Sequence, residues 1–278
     1  MYMSVCIETR SLSVENTEGL KILDDVSIDI SCGDFVIVSG PSGGGKSTLL
    51  KIFIGIVEAF RNLKVSGYVR VLDVDVLKEG FRKLLGKVGI VFQNPINEIF
   101  SLTVEEEIAF PLENMNLEPI EISKRIDRAL HIVNIENLRN RLVHELSMGQ
   151  IQRVVLASVI AMEPQILLLD EPCAYMDPGS KRRFYEYVYS YWRNSNVTVI
   201  VVEHDLDYVL GYATKLLILN RRVVAYGNPI DVLSRVRVED YGIKEPIYIK
   251  MCRGFGKSAK SVEEAIDCLK KFICRDRK

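Results

Sequence analysis

The chain has 278 residues, with 36 Lys plus Arg against 37 Asp plus Glu, a net charge of −1 and 48% hydrophobic residues. This is the composition of an ordinary globular protein with enough length for a packed core, and the balanced charge argues against a dedicated nucleic-acid binder, which carries a basic excess. No apolar run approaches the roughly 20 residues that cross a bilayer, the start shows no secretory signal, and the six cysteines, with no Cys-x-x-Cys pair, read as scattered thiols of a reducing cytoplasm rather than a disulfide framework or zinc site.

Short β-rich runs alternate with helical ones. Residues 4–9 read as a weak strand, and 26–30 and 35–39 as strands. A Gly-rich turn at 40–45 leads into a helix from Lys46 to about Val57, and strands follow at 65–72 and 88–92. The character then changes over 94–149. Thr103 and Glu106 form a capping-box pair ahead of a short helix that Pro111 stops, and 121–133 is a second helix. This block reads as an inserted helical subdomain. After it come helix 149–161, strand 166–170, helix 179–194, strand 197–202, helix 205–212 and strand 215–220, with Arg221-Arg222 turning a hairpin into an antiparallel edge. The alternation predicts an α/β fold with a mainly parallel sheet covered by helices. The division predicted is one domain over 1–235 and a C-terminal extension over 236–278.

That extension is basic. Residues 235–278 hold 12 Lys or Arg against 7 Asp or Glu, a net +5 that leaves −6 for residues 1–234. Ser261 and Glu264 resemble another capping box, after which Val262, Ile266, Leu269 and Ile273 fall on one helical face. That face either packs on its own domain or serves a dimer or partner contact.

The chemistry concentrates in a few places. Gly40-Pro41-Ser42-Gly43-Gly44-Gly45-Lys46-Ser47, followed by Thr48, matches the phosphate-binding loop, between the strand and the helix that the motif requires. Its glycines let backbone amides wrap phosphate oxygens, and the helix N-terminus favours the anion. Lys46 would reach the β and γ phosphates and Ser47 would ligate Mg²⁺. The apolar run 166–169 delivers Asp170 and Glu171 to the C-terminal end of a buried strand, where open α/β sheets bind ligands. Asp170 suits Mg²⁺, and Glu171 suits general-base activation of water. His204 and Gln93 follow other strands of the same sheet. His204 is placed for a γ-phosphate contact, and the Gln93 amide for both water and metal.

Leu146-Ser147-Met148-Gly149-Gln150, about twenty residues before Asp170-Glu171, completes a pattern that resembles the ATP-binding-cassette (ABC) ATPases along nearly all of 1–235. The resemblance implies a P-loop NTPase (RecA-like) core with a mainly parallel sheet, an N-terminal antiparallel β subdomain and the inserted helical subdomain. It implies ATP and Mg²⁺ as ligands and a head-to-tail dimer, in which the signature of one subunit, residues 146–150, contacts the γ-phosphate on the other. Ser147 can cap the helix that follows and turn its positive end to phosphate. Asp177, in a segment similar to the family's D-loop, would couple the two sites. Phe92-Gln93-Asn94-Pro95 resembles the energy-coupling-factor and cobalt-type importers. The function implied is therefore an ATPase, homodimeric or heterodimeric, peripheral on the cytoplasmic face of the cell membrane, that drives an integral membrane partner and needs no nucleic acid. The alternatives are a soluble ABC-type ATPase with a non-membrane partner, or another class of ABC transporter.

Three positions depart from the pattern. Met148 replaces a glycine, which strains the backbone only if its φ is positive. Val14 stands where the family has an adenine-stacking aromatic. Glu98 stands where the importer subgroup often has Gln, and with Glu105, Glu106 and Glu107 it either lines an acidic groove for a basic coupling helix or belongs to a solvated face.

Overall fold

A computed structural model describes residues 4–56, 62–254 and 264. The terminal helix expected over 262–273, apart from Glu264, lies outside the described residues, as does Val57. In chain order, β1 (Val5–Asn16) and β2 (Lys21–Ser31) form a long antiparallel pair, and β3 (Phe35–Ser39) runs into α1 (Lys46–Phe53). Then come β4 (Leu63–Val71), β5 (Val74–Asp75), the single turn α2 (Val76–Glu79) and β6 (Val88–Val91). The helical block holds α3 (Val104–Asn114) and α4 (Pro119–Ile132), and α5 (Met148–Ala161) follows it. The chain continues through β7 (Ile166–Asp170), α6 (Pro178–Asn194), β8 (Thr198–Val202), β9 (Lys215–Asn220), β10 (Arg222–Gly227), α7 (Pro229–Arg235) and α8 (Ile247–Gly254).

The strands make two sheets. One is antiparallel, in the order β2-β1-β4-β5; the other runs β10-β9-β3-β8-β7-β6, parallel except for the β9–β10 hairpin at its edge. Strands β3, β7 and β8 are buried at every residue. This is why they read as unbroken apolar runs: a parallel strand is covered on both faces. In β2 the alternation of exposed Ser27 and Asp29 with buried Val26, Ile28 and Ile30 marks a sheet with one wet face.

The parallel sheet divides the interior. Val36, Val38, Leu168, Ile200 and Val202 face α1 and the antiparallel sheet, while Phe35, Ile37, Leu167, Leu169, Val199 and Val201 face α5, α6 and the helical block. Ile243, Tyr248, Ile249 and Cys252 join the second core. Among the described residues no helix is long and apolar enough to cross a membrane.

Four local expectations are corrected. Pro111 does not stop α3, which runs on to Asn114. The proline lacks the N–H that would bond the Glu107 carbonyl and crowds that carbonyl, but the Thr103–Glu106 capping box together with buried Ile108 and Leu112 holds the helix. Residues 205–212 form two 3₁₀ turns, Leu206–Tyr208 and Leu210–Tyr212, separated by Val209 at φ −125°, which is not helical. Cys6 and Cys32 are joined in a disulfide, whereas Cys173 and Cys252 are free and buried. The antiparallel register that sets Val5 opposite Ser31 brings the two cysteines together across 26 residues. Finally, Val14 is wholly buried, paired with Leu23 on one side and Val65 on the other, so its side chain belongs to the core rather than to an exposed stacking surface.

Candidate active site

The phosphate loop leaves the C-terminal end of β3 and closes on α1. Two glycines are required sterically. Gly40 has φ +150°, and a Cβ there would collide with the Leu219 carbonyl of β9; Gly45, the N-cap of α1 at φ +92°, would drive one into Leu23 and the Ile22 carbonyl at 2.7 Å. The turn is closed by Gly44 N–H donating to the Pro41 carbonyl at 3.0 Å, and Arg221 N–H donates to the Gly44 carbonyl at 2.9 Å. Lys46 is buried, its Nζ donating to the Gly40 and Pro41 carbonyls at 2.9 Å each. Burial lowers its pKa, opposed by the charges of Glu171 and Asp170. Pro41, Ser42 and Gly43 form the rim, and Thr48 lies in the first turn of α1.

Asp170 ends β7, and Glu171 follows in the left-handed region at φ +48°, an uncommon conformation for a residue with a side chain. It is held there by Glu171 N–H donating to the Val202 carbonyl at 3.1 Å and Ala174 N–H donating to the Glu171 carbonyl at 3.2 Å. The Ser47 hydroxyl donates to Asp170 Oδ1 at 3.0 Å. Burial raises the Asp170 pKa, and the Ser47 hydrogen bond works against it. The Glu171 carboxylate is flanked on both oxygens: His204 Nε2 lies 3.0 Å from Oε1, and Gln93 Nε2 donates to Oε2 at 3.3 Å. The His204 contact lowers its pKa more than burial raises it, which keeps Glu171 ionised and both oxygens available as acceptors. Ser47, Gln93, Asp170, Glu171 and His204, drawn from four separate segments, therefore form one site. Ser47, Gln93 and Asp170 also line a cavity of about 550 Å³ with Phe92, Glu98 and Phe100.

This donor set fits Mg²⁺. Ser47 and Asp170 present hard oxygens side by side, and Mg²⁺ is held by one or two protein oxygens plus phosphates and water rather than by a full protein cage. Among the described residues no group of three or more His, Cys, Asp or Glu could hold a metal.

The signature segment lies apart. Among the described residues no hydrogen bond or ion pair joins 146–150 to the cluster. Ser147 is the N-cap of α5, accepting from Gln150 N–H while the Gln150 side chain accepts from Ser147 N–H. Met148 is the first helical residue and does not have positive φ, so replacing glycine strains nothing. Gly149 faces Ser180, at the start of α6. Leu146 packs against the larger core. Asp177 caps α6, its Oδ1 accepting from Gly179 and Ser180 N–H at 2.9 and 3.0 Å.

The four acidic residues after Gln93 do not make an open acidic groove. Glu107 is buried and accepts from Phe100 and Ser101 N–H, Glu106 closes the Thr103 cap, Glu105 pairs with Arg139, and Glu98 accepts from Phe92 N–H at 3.0 Å. What the surface offers beside Gln93 is apolar: Phe100 and Leu102 are more than two-thirds exposed, and Phe100 stacks on Phe110 with ring centroids 5.9 Å apart. Sequence reasoning also passed over Glu203, a buried carboxylate between β8 and His204. Its signal was an acid closing an apolar strand, the same signal that marked Asp170.

The ABC transporter family matches residues 23–174. The chain is 37% identical over 275 residues to the energy-coupling factor transporter ATP-binding protein EcfA of Carboxydothermus hydrogenoformans, covering 98% of this chain and 100% of the relative. It is 34% identical to EcfA2 of Clostridium tetani, covering 95% and 93%. Among solved structures it is similar to cbiO1 of Clostridium perfringens, described as part of the ABC transporter complex cbiONQ. The TM-score is 0.75 and the identity 34%, over 83% of this chain and 91% of that one. A dimeric ATP-binding cassette in a post-hydrolysis state with ADP and Pi superposes with a TM-score of 0.69 at 26% identity, covering 80% and 98%.

Proposed function

The chain belongs to the ABC transporter family of ATPases, and on that premise we propose that it powers a membrane importer of the energy-coupling-factor or cobalt type by ATP-driven closure of a dimer. The reaction is hydrolysis of ATP to ADP and phosphate. The observation that carries the assignment of roles is the joining of Gln93, Glu171 and His204 in one hydrogen-bonded group beside the Ser47–Asp170 pair.

The amides of 40–47 and the Lys46 ammonium bind the triphosphate, helped by the N-terminus of α1. Ser47 and Asp170 would hold Mg²⁺, with the Gln93 amide as a further ligand, and the ion would supply positive charge to the phosphate oxygens. Glu171 accepts a proton from the water whose oxygen bonds the γ-phosphorus as the bond to the ADP oxygen breaks. Gln93 orients that water through its amide, and His204 bonds the γ-phosphate. Residues 146–150 serve the nucleotide held by a second subunit, identical or homologous, with the N-terminus of α5 turned to the phosphate, and Asp177 couples the two sites. The cassette spans 1–235, with its helical subdomain at about 94–149, and the basic segment 236–278 is its extension. The apolar surface of Phe100, Leu102 and Phe110 beside Gln93 receives the integral membrane partner. The protein is thereby peripheral on the inner face of the membrane, and no nucleic acid takes part.

Extracting the intact complex from membranes and identifying its chains by mass spectrometry tests this reading. It predicts an integral membrane protein and a second ATPase copy or homologue. Recovery of only nucleic acid or ribosomal proteins would overturn the importer.

A further inference from the structure

Glu203 lies at the end of β8 and is only 5% exposed. A buried carboxylate must find its hydrogen-bond donors within the fold, and this one takes them from two elements. Oε1 accepts from the amides of His204 at 2.9 Å and Asp205 at 3.1 Å, and pairs with Lys181 Nζ at 3.0 Å. Oε2 accepts from the Tyr185 hydroxyl at 2.5 Å. Lys181 Nζ also lies 4.9 Å from the centroid of the Tyr208 ring, so the ammonium is enclosed. Lys181 and Tyr185 lie one turn apart in the first three turns of α6, and Lys181 N–H donates to the Asp177 carbonyl at 2.9 Å.

We infer that Lys181 and Glu203 are positioning residues that fix the turn carrying His204 and tie it to the start of α6. A single oxygen shared by two consecutive amides sets the backbone of 203–205, as a side-chain cap sets a turn. The approach of His204 Nε2 to Glu171 Oε1 at 3.0 Å follows from that backbone. Removing Lys181 leaves the carboxylate charged and unpaired inside the protein; it turns toward water, releases the two amides, and His204 loses its aim. Because Asp177 caps the same helix that supplies Lys181 and Tyr185, the ion pair also gives displacement of the 174–177 segment a direct route to His204. The inference rests on the reading that His204 acts at the nucleotide.

A double-mutant cycle on the full-length chain tests it, with kcat and KM for Mg-ATP read from phosphate release. Lys181→Met is expected to lower kcat about tenfold alone, but less than about twofold beside His204→Ala, with KM nearly unchanged. A merely structural role would lower kcat by the same factor in both backgrounds; that result, or no loss in the single variant, overturns the inference. Undiminished turnover in His204→Ala alone would instead overturn the role of His204, a separate failure. Glu203→Leu leaves no buried carboxylate behind and enters the same cycle, with the same two outcomes, if Lys181→Met does not fold. Glu203→Gln keeps an oxygen for the two amides and should retain most of kcat.

Discussion

The Ser47 hydroxyl and Asp170 Oδ1 meet at 3.0 Å across 123 residues of sequence. The contact joins the first turn of α1 to the end of β7, so the glycine-rich loop and the acidic strand end are held in register. Asp170→Asn preserves an oxygen acceptor for Ser47 and the size of the side chain while removing the charge. The variant should fold, bind ATP without added Mg²⁺ much as wild type does, and lose roughly a hundredfold or more of its Mg²⁺-dependent turnover. Nucleotide titration with and without Mg²⁺, alongside phosphate release, checks both halves.

Glu98 makes stability depend on pH. Burial pushes its pKa from 4.5 up to about 8, against the opposing effect of the Phe92 amide and with the like charge of Glu107 adding to the rise. An acid whose pKa is raised on folding stabilises the native state fully below its unfolded value, and that contribution is lost as pH rises through the folded value. Glu98→Gln removes the titration and keeps an acceptor for Phe92. Its unfolding free energy, measured by urea titration, should therefore exceed that of wild type by a margin that grows between about pH 4.5 and pH 8. Discounted for partial exposure, the margin is about 1–2 kcal/mol. A margin that does not vary over this range would refute the assignment.

The Cys6–Cys32 bridge ties β1 to the end of β2. Closing a loop of this size should stabilise the fold by about 3 kcal/mol. Peptide mapping without reductant should recover Cys6 and Cys32 in one linked pair, and reduction or Cys6→Ser should lower the unfolding midpoint accordingly. An unchanged midpoint in Cys6→Ser would contradict this.

The parts of the molecule readable in advance were those whose physics is local. The glycine-rich loop declares itself because glycines are needed where φ is positive, as at Gly40 and Gly45. The strand ending in Asp170 declares itself because a doubly covered strand is apolar throughout. Ser147 and Thr103 show their caps in a four-residue window. What was hidden depends on pairing at long range. The disulfide needs the β1–β2 register, and the inward face of Val14 needs both its strand neighbours. The acidic run after Gln93 reads as a charged surface until folding turns Glu107 inward and gives Glu98 the Phe92 amide. Glu203 resembles any strand-end acid until α6 brings Lys181 and Tyr185 against it. Met148 is ambiguous in sequence and resolved only by its place in the first turn of α5.

The central claim is that Glu171, held between Gln93 and His204, accepts the proton of the attacking water. Glu171→Gln keeps the size of the side chain and a hydrogen-bonding oxygen but removes the basic carboxylate. The direct measurement is phosphate release by this variant, with its oligomeric state followed by light scattering as Mg-ATP is added. The account predicts retained ATP binding, an ATP-dependent dimer that persists, and turnover slowed roughly a hundredfold or more. Turnover near that of wild type would contradict it.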